Sequence, residues 1–170
     1  MKKFRNLLIF TTIFIAVSFV FDFHKIFNYP PSGPHTWRQT DCTSIAKNYF
    51  QNGMHFFSPQ VHHHLNGESK AAPSEFPILY YLTAAIYHIT GEHEGVLRLL
   101  NVLILFFGFW GLSKIQFGLS KDLFYSIAVP MIIFCSPVIA IYGFNFIPNI
   151  PALGFTFLGS YFFYQFFHTK

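Results

Sequence analysis

Acidic and basic side chains are few in this sequence, and those that could do chemistry stand in polar stretches between apolar runs. Asp41 ends the dense run His35-Thr36-Trp37-Arg38-Gln39-Thr40-Asp41. A carboxylate there could act as a general base toward a hydroxyl acceptor, or it could cap the helix that begins beside it. Glu75 stands just before Pro77, where the charge preference of a helix N-terminus explains it as well as chemistry does. Arg38 and Arg98 lie beside apolar segments and suit either bidentate phosphate binding or anchoring at a membrane interface. The run His62-His63-His64 suggests a metal, but consecutive loop residues rarely converge on one ion and the helical i, i+4 pairing is missing. No glycine-rich phosphate loop, Cys-x-x-Cys pair or nucleophile elbow is present, which weighs against nucleotide chemistry of the soluble type.

The elements that must position these residues are mostly apolar. Of 170 residues, 52% are hydrophobic and only 11% are charged, against roughly 25% in a soluble domain. Phenylalanine alone contributes 25 residues. Several long apolar runs cannot all hide in one core of this size, so they are expected to face lipid. The formal charge of +4 comes from basic residues at the ends of apolar runs, a pattern of membrane anchoring and not of nucleic-acid binding. Cys42 and Cys135 imply no disulfide framework.

The pattern predicts an all-α integral membrane protein, a single membrane domain over residues 1–170 with about four transmembrane helices. The spans fall at about 7–23, 96–117, 123–142 and 150–168. The first follows Lys2, Lys3 and Arg5 and lacks a small-x-small cleavage site, which favours an uncleaved signal anchor over a signal peptide. Pro130 and Pro137 predict a kinked or broken third span. Residues 24–95 form a long extracytoplasmic loop with juxtamembrane helices. Within it, Ile45, Ala46, Tyr49 and Phe50 recur at helical spacing, predicting an amphipathic helix from Thr40 to Phe50, with Asp41 in its first turn and Asn52-Gly53 closing it. Pro59 to Pro73 is turn-rich. Phe76 to Thr90, with Tyr80, Tyr81, Tyr87 and His88, is short for a span and predicts a helix along the interface. Placing the basic N-terminus inside puts Lys114, Lys121 and Lys170 inside too, and puts the long loop and residues 143–149 on the same outer face.

The order of these features resembles the GT-C class of glycosyltransferases that use polyprenyl-phosphate-linked sugars, nearest the branch of protein mannosyltransferases and lipid A aminoarabinose transferases. The residues that carry the resemblance are Thr40-Asp41-Cys42 with Ala46 and Gly53, then Glu75-Phe76-Pro77-Ile78-Leu79-Tyr80-Tyr81-Leu82 and Gly91, then Arg98-Leu99. Ser136-Pro137 and Pro148-Asn149-Ile150-Pro151 follow. The resemblance implies an inverting transferase in a bacterial inner membrane, N-terminus cytoplasmic. Its donor would be a polyprenyl-phosphate sugar and its acceptor a lipid, glycan or protein. It implies Asp41 as the catalytic carboxylate, Glu75 as a ligand for a divalent metal or a shaper of the site, and Arg98 as a residue at the membrane boundary; the expected substrate-binding residues are Glu75, Arg38, Arg98, Tyr80 and Asn149. Phe76 stands where the family has lysine, and Asn149 where it has an acid. The family has more spans, so the chain is expected to match its N-terminal part. The rival expectation is a non-catalytic membrane scaffold or lipid-binding subunit.

Overall fold

The computed structural model describes residues 2–62, 70–71 and 75–168, with side chains for 4–62 and 75–168. Its helices and strands are, in chain order, α1 Lys2–Val20, α2 Phe23–Ile26, α3 Thr36–Asn52, β1 Gln60–Val61, β2 Lys70–Ala71, α4 Ile78–Thr90, α5 Gly95–Ser120, α6 Leu123–Phe134, α7 Pro137–Tyr142 and α8 Asn149–His168. The architecture is all-α apart from the two-residue antiparallel ladder of β1 and β2, in which Gln60 faces Ala71 and Val61 faces Lys70. The helices gather in two units. One holds α1, α2, α5 from Asn101 onward, α6, α7 and α8; the other holds residues 27–100 with Asn145–Pro148.

The first unit is built on phenylalanine. Phe14 stacks on Phe134 at 4.5 Å between ring centroids and meets Phe106 edge-on at 5.2 Å. Phe109 approaches Phe134 at 5.7 Å and Phe157 at 5.8 Å, so α1, α5, α6 and α8 share one aromatic core. Such offset and edge-on pairs add to the burial of the rings themselves. Glycine brings α5 and α8 together. A Cβ on Gly108 would lie 2.5 Å from the Gly154 carbonyl oxygen, and one on Gly154 would lie 2.7 Å from that of Ile104, so only bare backbone fits.

Among the described residues one helix, α5, is long and apolar enough to cross a membrane. Its 26 residues reach about 39 Å, beyond a hydrocarbon core of roughly 30 Å. α1 and the α6–α7 pair are apolar but shorter, and α8 has the length of a span at lower hydropathy. The prolines break the third apolar run as expected, but at one point. Pro130 is accommodated inside α6, whereas Pro137 forces Ser136 out of the helical region to ψ 143°. Ser136 then caps α7, its hydroxyl accepting from the Ile139 N–H at 3.3 Å.

In the second unit α3 packs on α4. Cys42, Ile45, Ala46 and Tyr49 are buried on α3, and Leu79, Tyr80, Ala84 and Tyr87 on α4. Tyr49 meets Tyr81 edge-on at 5.4 Å, and Phe50 meets Tyr87 at 5.8 Å. Gly53 and Gly91 end the two helices at positive φ, 100° and 83°, where glycine carries no Cβ penalty. α3 begins four residues earlier than its apolar spacing predicts, so Asp41 lies in its second turn and caps nothing. The cause is Gln39, buried to 2% exposure. Its amide donates to the carbonyls of Ser32 at 2.9 Å and Pro34 at 2.7 Å, clamping the preceding loop on the first helical turn.

Candidate functional site

Helical spacing sets Arg38, Cys42 and Ile45 along one side of α3, each a turn from the next, with Asp41 a turn from both Arg38 and Ile45 and next to Cys42 in the chain. Cys42 and Ile45 face α4, which leaves Asp41 half-buried at the border of the packed surface. Among the described residues no hydrogen bond or ion pair engages the Asp41 carboxylate. The neighbouring groups are engaged with one another. Arg38 donates through Nη2 to Oε2 of Glu75, the Tyr80 hydroxyl donates to Oε1 of the same carboxylate, and that hydroxyl lies 3.1 Å from Cys42 Sγ.

The charges in this chain follow from its packing. Burial alone would raise the Glu75 carboxyl, but the Tyr80 hydrogen bond and the Arg38 guanidinium outweigh it and hold the group below its ordinary value. Burial would lower Arg38, and the Glu75 charge more than compensates. Burial pushes the Cys42 thiol up to about 11 and lifts the Tyr80 phenol far above its usual range, so both stay protonated at neutral pH. The row therefore contains one cation, one anion and two neutral donors, beside a carboxylate with no described partner.

The remaining predicted residues are placed differently. Arg98 is 3% exposed, and its Nη2 donates to the carbonyls of Tyr29 at 2.8 Å and Pro30 at 3.3 Å. Its guanidinium lies 4.2 Å from the centroid of the Phe146 ring. It clamps the Tyr29–Pro30 backbone and does not present an open phosphate fork. Asn149 is exposed at the start of α8, in the first unit. Each Glu75 oxygen accepts from one protein donor, and no group of three or more His, Cys, Asp or Glu side chains converges among the described residues. His63 and His64 lie outside the described residues. His62 bonds with Ser44 (Oγ to Nδ1, 3.0 Å) and Asn48 (Nδ2 to Nδ1, 2.9 Å), tying the start of the β-ladder to α3.

Two features of this unit gave no signal in the sequence. Lys47 on α3 pairs with Glu92 at 3.0 Å and Glu94 at 2.8 Å, fixing the turn between α4 and α5. A cavity of about 30 Å³ bordered by Asn48, Asn52, His55 and Ser58 has room for about one water and none for a sugar. Comparison of the chain with protein-family models, with curated proteins and with solved structures gave no match.

Proposed function

We propose that the chain is a multi-span membrane protein whose extracytoplasmic helices carry a glycosyl-transfer site. Asp41 is the general base, and the donor is a polyprenyl-phosphate sugar. The observation that carries this reading is the contrast on α3: Glu75 is held by Arg38 and Tyr80, while Asp41, a turn from Arg38, has a carboxylate that no described residue engages. A base must reach an incoming hydroxyl and keep a lone pair for it. The acceptor oxygen gives its proton to Asp41 and attacks the anomeric carbon as the bond to the lipid phosphate breaks, inverting that centre. In this reading Arg38, half-exposed beside Glu75, meets the phosphate as it leaves.

The membrane part of the proposal rests on α5 and on the outward side chains of its unit. Phe4, Leu8, Ile15 and Phe19 on α1 and Phe155, Phe162, Phe163 and Phe166 on α8 are exposed, more apolar surface than a water-facing monomer ordinarily leaves open. α1, α5, the α6–α7 pair and α8 are read as four crossings of a bacterial inner membrane, N-terminus inside, with α4 at the outer interface.

Membranes containing the chain are expected to transfer sugar from a polyprenyl-phosphate donor, and Asp41→Asn to lower the rate by roughly a hundredfold or more with insertion unchanged. Full activity in that variant removes Asp41 from the chemistry. The clamped Arg98 and the self-satisfied Glu75 favour a second reading, a non-catalytic scaffold or lipid-binding subunit. Inserted wild-type chain that binds the donor lipid and transfers nothing is the outcome that selects it.

A further inference from the structure

The first unit contains a cavity of about 340 Å³ that the transfer reading does not use. Its lining includes Asn6 near the start of α1, Trp110 and Lys114 on the last turns of α5, Ser126 on the first turns of α6, and Tyr161 and Tyr164 toward the end of α8. Four helix ends therefore meet around it. Among the described residues that line it, Lys114 is the charged one. The Lys114 ammonium lies 4.1 Å from the centroid of the Trp110 ring. Gly118 opens the far wall: a Cβ there would overlap the Tyr164 hydroxyl. The volume is that of a small-ligand pocket, too little for a whole lipid and enough for a headgroup.

We propose that this cavity binds an anionic phospholipid, its phosphate at Lys114 and its glycerol end against Trp110 and the tyrosines. Three observations converge on that ligand. The described lining sets one lysine among hydroxyl and amide donors, groups that suit a phosphate. Aromatic residues with one apolar body and one polar tip suit the headgroup level of a bilayer. Phe117 of the lining is exposed, as are Phe124 and Tyr125 between the lining residues Leu123 and Ser126, offering apolar surface where acyl chains would continue. A basic pocket between membrane helices, at the end where lysines and arginines cluster in the sequence, takes up anionic headgroups from that leaflet. The proposal rests on the membrane reading above and is independent of glycosyl transfer.

The test uses Trp37→Phe, which leaves Trp110 as the only one of the two tryptophans. The full chain in phosphatidylcholine nanodiscs is titrated with phosphatidylglycerol brominated in its acyl chains, with brominated phosphatidylcholine, and separately with inorganic phosphate. Phosphatidylglycerol is expected to quench Trp110 saturably at a low mole fraction, and phosphatidylcholine only in proportion to its share of the bilayer. Lys114→Gln is expected to weaken the saturable phase about fivefold, Lys114→Arg to keep it, and Lys121→Gln, an exposed lysine outside the cavity, to leave it unchanged. Equal quenching by the two lipids overturns the proposal. So does an unaltered Lys114→Gln, and so does release of the quench by millimolar phosphate, which would mark a site for free anions. Should Lys114→Gln fail to insert, the contrast between the two lipids decides alone. Chain washed from its membrane by alkaline carbonate would refute the membrane reading itself, whereas retained chain with no lipid preference refutes only the cavity.

Discussion

Glu75 is held by two donors of different kind, the cationic Arg38 and the neutral Tyr80, and this makes the α3–α4 contact sensitive to acid. Its folded value is depressed, so its stabilisation is fully present above the unfolded carboxylate value of roughly 4.3 and is lost as pH falls through the folded one. Protection of α3 amides in hydrogen exchange is therefore expected to fall between about pH 4.5 and the lower folded value. Glu75→Gln is expected to flatten that dependence and, the pair being partly exposed, to cost about 1 kcal/mol at neutral pH. An identical pH profile in the variant would show that the pair contributes nothing. The two acids themselves were legible in the sequence, because carboxylates are scarce there and both stand at the edges of predicted helices. Their different fates were not, since Arg38 and Glu75 are 37 positions apart and only the docking of α4 on α3 joins them. Arg98 illustrates the converse: its partners are backbone carbonyls, which leave no trace in residue type.

Between α5 and α8 the spacing of the backbones depends on two glycines, and the consequence can be separated from helix propensity. Replacing glycine by alanine inside a helix ordinarily stabilises by up to about 1 kcal/mol. Gly159 has open space where a Cβ would go, so Gly159→Ala is expected to raise the thermal midpoint of the detergent-solubilised chain slightly. Gly154→Ala places the same methyl against the Ile104 backbone and is expected to lower the midpoint, by an overpacking cost of about 1–3 kcal/mol. Equal shifts in the two variants would mean that the close approach does not occur. Helix existence and the glycine stop at Gly53 followed from apolar spacing and from conformations that only glycine adopts cheaply. The start of α3 did not follow. Gln39 is polar and interrupts the apolar pattern, yet it is buried because two loop carbonyls satisfy its amide.

At the scale of the whole molecule, charge at the ends of apolar runs predicts a topology that reporters can read. A reporter inserted among residues 92–94 is expected to register outside the membrane and one following α5, at residue 121, inside. The reverse pattern would remove the outer-face placement of Asp41. The break between α6 and α7 then bears on biogenesis. α6 spans about 18 Å and α7 about 9 Å, so neither reaches across a bilayer by itself. During synthesis, however, Leu123 to Tyr142 emerges as one unbroken apolar stretch and would partition as a single segment. The interruption is set by Pro137: the Ser136 N–H serves the Ile133 carbonyl that Pro137 cannot, and Phe134 seats between Phe14 and Phe109. On the proposed membrane reading, the third crossing would thus enter the bilayer as one segment and stand there as a helix broken at Ser136.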